Sequence, residues 1–341
     1  MLSENMNDRK HQRQAFLAEH SWADAEITPL VPDASARRYF RLEKGVQRRM
    51  LMDDIGGKQN VIPFVKITAH LTSLGIRTPA IYHQDLDGGF LILEDLGGDT
   101  FSTLLLKDHS EKELCSKAMG VLGKVHRQID ATKIDLGNYD FEHFINEAYL
   151  FTDWYLPATQ KRKTGATQRS DYESVWWQIF ESLPTLQSTL VLRDYHIDNL
   201  MMVDGECAVL DYQDALIGPI AYDVVSLLED ARRDVSGALN ESLKRQYLNQ
   251  NPGINEEHFN HHLVVWGAQR HCKVAGIFVR LWLRDDKPVY LQHLNRVMRL
   301  IGKHIENPIM LPLKRWLTTN MNGLEHPRLD PELSDKLREF L

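Results

Sequence analysis

The chain has 341 residues, with 40 Lys and Arg against 47 Asp and Glu, giving a formal charge of −7 at pH 7. That length exceeds what one average core organises and favours two lobes, while the negative balance excludes the broad positive field by which proteins hold nucleic acid. With 43% hydrophobic and 26% charged residues, the composition is neither disordered nor fibrous.

The opening MLSENMNDRKHQRQAFLAEH is charged and lacks the apolar block of a signal peptide, and no later stretch approaches the ~18 apolar residues of a membrane span. Cys115, Cys207 and Cys272 stand far apart without a C-x-x-C pair, which fits neither a disulfide framework nor a zinc site. A cytoplasmic protein with no membrane partner is expected.

Along the chain, an amphipathic stretch near Lys10 to His20 precedes RRYFRLEK and RRMLMDDI, which read as two short strands in an antiparallel start. PFVKITAHLTSLGI carries Phe64, Ile67, Leu71 and Leu74 at helical spacing and ends at Gly75. RTPAIYHQD is extended, and GFLILEDLGG is a strand running into Gly97 and Gly98, where a lobe boundary falls. From Ser110 the pattern turns helical: SEKE is a capping box, and Phe141 to Tyr155, Asp171 to Leu183, Tyr222 to Arg232 and His258 to Leu283 keep helical periodicity. The polar KRKTGATQRS between two of them reads as a loop. The expected fold class is α+β, with a small antiparallel-sheet lobe over residues 1–97 and a larger, mainly helical lobe over 98–341.

The densest polar run inside apolar sequence is TLVLRDYHIDNLMMVDGECAVLDYQDALIGPIAYD, residues 189–223. LMMV and CAVLDY are strand-like about a turn at Asp204, Gly205 and Glu206. Folding about Gly205 sets Asn199 opposite Asp211, a carboxylate and an amide oxygen together, which are hard ligands suited to Mg2+ on nucleotide phosphates. Asp194, on the turn before the hairpin, is placed to orient a hydroxyl and accept its proton. Asp198 and Asp214 read as loop residues, and Asp223 as a helix N-terminal residue favoured by the dipole.

RDYHIDN, with Arg-Asp-x4-Asn, followed by LDYQDA, resembles the catalytic loop and metal segment of the protein-kinase-like two-lobe fold. His196 and the run DALIGPIAYDVVSLL bring it closer to the aminoglycoside phosphotransferase family. DYHIDNL, LDYQDALIGPIAYDVVSLLEDARRDV and the upstream DASARRYFRL are similar to the family's bacterial anomeric sugar kinases of N-acetylmuramate and N-acetylglucosamine in cell-wall recycling. The resemblance implies ATP and Mg2+ as cofactors, Asp194 as catalytic base, and Asn199 and Asp211 as metal ligands. It sets ASARRYF over the phosphates through Ser35, Arg37 and Arg38, and the adenine hinge at Glu94 to Leu96. His196, Trp154 and Arg270 are the expected sugar contacts, although Trp154, Trp266 and Gln269 also fit core packing at helical spacing.

Two departures stand out. There is no G-x-G-x-x-G loop, and RRMLMDDI has Met50, Leu51 and Met52 where such kinases carry a phosphate-binding lysine, so Arg37, Arg38 or Lys58 must supply that charge. The implied activity is ATP-dependent phosphorylation of a small amino sugar by a monomer. A kinase of another alcohol (an aminoglycoside, choline or homoserine), a nucleotide-binding pseudokinase and a metal hydrolase built on Asp194, His196, Asp198 and Asp211 are the competing readings.

Overall fold

The computed structural model describes residues 2–30, 37–321, 329, 330, 332 and 334–341, with side chains described from residue 8 onward. In chain order the elements are α1 (Leu2–Glu19), β1 (Glu26–Pro29), β2 (Arg38–Lys44), β3 (Gln47–Asp53), α2 (Lys58–Ser73), β4 (Ile81–Asp85), β5 (Phe90–Glu94), α3 (Phe101–Leu105), α4 (Glu111–His126) and α5 (Phe141–Leu150). A π-helical turn, Phe151–Tyr155, leads into α6 (Leu156–Gln160), α7 (Ala166–Glu181), β6 (Ser188–Val191), β7 (Leu200–Val203), β8 (Glu206–Val209), β9 (Leu216–Pro219) and α8 (Ala221–Leu228). Then come α9 (Gly237–Gln250), α10 (Glu256–Leu283), α11 (Leu294–Ile305), α12 (Leu311–Asn320) and α13 (Ser334–Arg338).

The chain forms two compact units, Met1–Lys117 with Ile197–Ala215, and Ala118–His196 with Leu216–Leu341. The first therefore does not follow the expected cut at residue 97. Backbone bridges from Arg77 to Ala208 and from Thr100 to Met201, and the Met202 N–H on the Asp99 carbonyl at 2.9 Å, tie the later hairpin to the N-terminal elements.

The first unit holds an antiparallel sheet in the order β1-β2-β3-β5-β4. β2 and β3 pair from Arg38↔Asp53 to Lys44↔Gln47, leaving a two-residue turn led by Gly45 at φ 58°, the conformation glycine adopts at least cost. Alternation sends Phe40, Leu42 and Leu51 inward to meet Phe90 and Ile92 of β5 and Phe16, Leu17 and Trp22 from the N-terminal segment. Asp53 is fully buried beneath this layer. Arg9 Nε reaches its Oδ1 at 2.7 Å and Arg13 its Oδ2 at 3.5 Å, so the buried group is paired. α2 buries Val61, Phe64, Ile67, Thr68 and Leu71 and stops just before Gly75 at φ 68°, as its spacing predicts; it starts earlier than expected, at Lys58.

The second unit is built around α10. Its 28 residues pack against α5, α8 and α11, and Trp266 lies 4.7 Å from the Tyr139 ring, 4.9 Å from Phe144 and 5.6 Å from Tyr222. Trp266 is thus core and not a pocket wall. Gly276 allows the closest approach: a Cβ there would lie 2.1 Å from the Leu150 carbonyl oxygen, at the end of α5. β6 and β9 pair antiparallel from Ser188↔Pro219 to Val191↔Leu216. The segment expected as a loop over 161–170 is helical from Ala166, and the helix expected from Tyr222 to Arg232 ends at Leu228. Among the described residues no helix is long and apolar enough to cross a membrane.

Candidate active site

In the first unit the hairpin β7–β8 closes through a two-residue Asp204-Gly205 turn with φ 50° and 81°. Asp-Gly tolerates positive φ at both positions, and such a turn follows the strand twist. Pairing runs from Leu200↔Val209 to Val203↔Glu206, so Glu206 is already strand, and Asn199 faces Leu210, whose N–H it accepts at 2.8 Å. The expected register, Asn199 opposite Asp211, is therefore one residue out. The two side chains still meet because Asp211 turns to φ 56°, bringing its Oδ2 to 3.5 Å from Asn199 Nδ2. Tyr212 enforces that turn: its hydroxyl lies 2.7 Å from Thr68 Oγ1, and its ring stacks on Phe64 at 5.2 Å, so the residue after Asp211 is locked beneath α2.

Asp211 has 46% of its side chain exposed. Gln213 Nε2 donates to its Oδ1 at 2.9 Å. Arg37 Nη1 stands 3.8 Å from the same oxygen, while Arg37 Nε is held by Asp54 at 3.0 Å. Asp54 in turn accepts the Gly56 N–H at 2.8 Å and Asn60 Nδ2 at 2.9 Å. Of the three cations expected to replace the strand lysine, Arg37 is the one brought to Asp211; Lys58 pairs with Asp87 at 3.1 Å. Arg38 opens β2 opposite Asp53. Ser35 lies outside the described residues. At the end of β5, Glu94 forms a two-pronged pair with Arg77 at 2.7 and 2.5 Å and gives its N–H to the Ala80 carbonyl at 2.8 Å. Asp95 is clamped by Arg41 Nε at 2.7 Å and by the Gly97 N–H at 2.9 Å. Between these anchors the Leu96 N–H and C=O make no hydrogen bond among the described residues, which leaves a backbone edge for a flat heterocycle.

In the second unit Asp194 sits on the turn after β6. Arg193 before it has φ 70°, an uncommon conformation for a long side chain, and the surrounding structure holds it there. Asp223, almost fully buried at the start of α8, accepts the Leu192 N–H at 2.6 Å and the Arg193 N–H at 2.9 Å. Burial raises the Asp223 carboxyl to about 7, against the pull of those two N–H groups and Arg270. The dipole role expected for Asp223 is thus incomplete, because its carboxylate shapes the catalytic-type turn directly.

Glu147 of α5 is the second brace. It pairs with the Arg193 guanidinium, takes Lys273 Nζ at 2.6 Å and Gln269 Nε2 at 3.3 Å, and accepts the Tyr139 hydroxyl. Burial pushes Glu147 up, but Lys273 and Arg193 outweigh it and hold the carboxyl at about 2. Asp194 follows the same logic: burial raises it, while Lys273, Arg270, His196 and Arg193 bring it below the ordinary carboxylate range. His196, 8% exposed, is lowered to about 4, chiefly by burial and then by Arg232, so its imidazole is neutral at pH 7.

His196 and Arg270 therefore sit in the electrostatic surroundings of Asp194. Trp154 lies in the π-helical turn, half-buried against the helical core. The sequence reading missed Asp54, Glu147 and Lys273. Arg270 and Lys273, three residues apart and flanked by the apolar runs VVWGA and VAGIFV of α10, carried a legible signal, since charges are buried only when paired.

Residues 26–258 match the phosphotransferase enzyme family. The chain belongs to that family. It is a phosphotransferase, and ATP is the phosphoryl donor. It is similar to an N-acetylmuramate/N-acetylglucosamine kinase of Pseudomonas aeruginosa, 36% identical over 328 residues that cover 92% of this chain and 94% of that protein. A kinase of the same description from Pseudomonas putida is 33% identical, covering 89% of each. Among solved structures, a choline kinase from Streptococcus pneumoniae superposes with a TM-score of 0.63 at 12% identity, covering 86% of this chain and 99% of that one. This likeness establishes the protein-kinase-like fold expected from the sequence.

Proposed function

We propose that this phosphotransferase moves the γ-phosphoryl group of ATP to the anomeric hydroxyl of an N-acetylated amino sugar, N-acetylmuramate or N-acetylglucosamine, in cytoplasmic recycling of cell-wall material. The observation that carries the reading is identity of 36% and 33% to kinases of that description over about nine-tenths of both chains. In the chemistry, Asp194 is the base. Its carboxylate stays ionised beside Lys273, Arg270 and Arg193, ready to orient the sugar hydroxyl and accept its proton. Neutral His196 and cationic Arg270 face the acceptor, and Trp154 lines its approach.

Asn199 and Asp211 offer oxygen ligands with one half-exposed carboxylate, a donor set that fits Mg2+ keeping several waters and taking phosphate oxygens. Bound Mg2+ would neutralise charge on the transferred group. Arg37 adds a fixed cation beside Asp211 in place of the absent lysine; by the family resemblance Ser35 and Arg38 share the phosphate contacts, and Glu94 to Leu96 bind adenine. Arg37 thereby weakens the main argument for a pseudokinase.

The test is ATP turnover by the purified chain with Mg2+ against N-acetylmuramate, N-acetylglucosamine, an aminoglycoside, choline and homoserine, followed by phosphorus NMR. A sugar-1-phosphate resonance with either amino sugar is expected. Transfer to choline, homoserine or the aminoglycoside alone would overturn the acceptor assignment.

A further inference from the structure

Outside the catalytic-type turn, three elements of the second unit converge on one carboxylate. Glu229, the residue capping α8, receives Nε2 of His271 from α10 at 2.9 Å and Nε2 of His304 from the last turn of α11 at 2.5 Å, both on Oε2. Glu229, His271 and His304 are 7%, 1% and 5% exposed, and one donor atom from each lies within 4.8 Å of the others. The imidazole planes are 25° apart with centroids at 5.6 Å. Gly267, one turn before His271, makes the approach possible: a Cβ there would stand 2.4 Å from His304 Nε2. A glycine inside a helix costs about 1 kcal/mol relative to alanine, and here it admits an imidazole that nothing in the phosphoryl-transfer site uses.

We infer that Glu229, His271 and His304 form a binding site for a single borderline divalent cation of the zinc class, which ties α8, α10 and α11 together. Two imidazole nitrogens and one carboxylate oxygen converging from three helices are the donor types such ions take, with water in a fourth position. Ligands of a tetrahedral ion with bonds of ~2.0 Å stand ~3.3 Å apart, so Oε2, now at 2.9 Å from His271 Nε2 and 2.5 Å from His304 Nε2, needs to open by about 0.4 and about 0.8 Å respectively. A cavity of about 360 Å³ lined by Glu229, Lys303 and His304 supplies the way in and room for the water. Lys303, which holds Glu229 Oε1 at 3.0 Å, is 64% exposed and can swing into solvent as the ion enters. α8 and α10 also carry Asp223, Arg270 and Lys273, so the ion would brace the two helices that shape the Asp194 turn.

The test uses the whole chain after dialysis against chelator, titrated with Co2+ alone. One equivalent should give the intense visible absorption of four-coordinate cobalt, displaced by Zn2+, with affinity at least tenfold weaker in Glu229→Gln and His304→Gln. Asp211→Asn should leave the band in place, since that carboxylate belongs to an oxygen-ligand site that gives only weak absorption. Absence of the intense band in the wild-type protein, or its persistence in both variants, overturns the assignment. If the variants fail to fold, X-ray absorption of the zinc-loaded wild-type protein decides: two imidazoles in the scattering shell support the site, and fewer overturn it.

Discussion

Asp194 carries the sharpest expectation at the level of single residues. Its carboxyl lies below the ordinary range because neighbouring cations outweigh burial, so it is ionised throughout the neutral range and imposes no inflection on rate between pH 5 and 8. Asp194→Asn keeps the shape and removes the proton acceptor; kcat should fall by about 10²–10⁴ while ATP binding, measured by calorimetry, changes less than twofold. Retained turnover would show that another group takes the proton. Arg37 is a different case, because it is fastened to Asp54 at 3.0 Å and stands 3.8 Å from Asp211. Arg37→Met should raise the KM for ATP about tenfold or more, on the scale of a charge-assisted contact, with the KM for sugar little altered. An unchanged KM for ATP would remove Arg37 from the phosphate site.

Among the elements, α5 and α10 are joined by two contacts of opposite character. The polar one is Glu147 with Lys273 and Arg193, a buried cluster whose members lose their partner together. Glu147→Gln should destabilise the protein by about 3–5 kcal/mol in urea unfolding and lower kcat as well, since Arg193 then loses a restraint on its φ of 70°. The steric contact is Gly276 against the Leu150 carbonyl. Backbone cannot yield as a flexible side chain does, so Gly276→Ala forces the two helices apart at a cost of about 1–3 kcal/mol, visible as a lower denaturation midpoint. A neutral Gly276→Ala would show that the helices slide freely at this crossing.

For the whole molecule, pH reports on buried groups scattered through the fold. His126, whose Nδ1 lies 2.6 Å from the Tyr247 hydroxyl, is lowered to about 3 by burial, and His196 to about 4. An unfolded histidine takes its proton near pH 6.5, and these two do so in the folded state only much lower, so between about pH 6.5 and 4 the unfolded chain binds more protons and stability rises with pH. Asp223, raised to about 7, has the opposite sign: between about pH 4 and 7 the folded chain binds the extra proton, and stability falls as pH rises. Two groups against one leave a net gain of about 1.4 kcal/mol per pH unit through that window from these three. Urea midpoints at successive pH values should show it, and His126→Asn should flatten the slope by a similar amount. A slope that is unaltered in His126→Asn would mean that the imidazole is protonated in the folded protein.

How much was legible in advance follows from the range of each interaction. The hairpin, the Asp-Gly turn, the Ser110 side-chain cap on the Glu113 N–H and the helix stop at Gly75 depend on residues a few positions apart, so alternation, periodicity and turn chemistry foretold them. The meeting of the Asn199 and Asp211 side chains was readable for the same reason, although a one-residue error in register entered because the turn needs two residues and not three. Sequence by itself thus determined the fold class and the family. Only the tertiary structure decided that Tyr212 under α2 turns Asp211 toward Asn199, that Arg37 is the cation beside it, and that Glu147, Lys273 and Asp223 set the charge and backbone of the Asp194 turn. Burial and the pairing of distant charges arise from packing between segments far apart in the chain, and local pattern carries no record of which distant residue a buried side chain will meet.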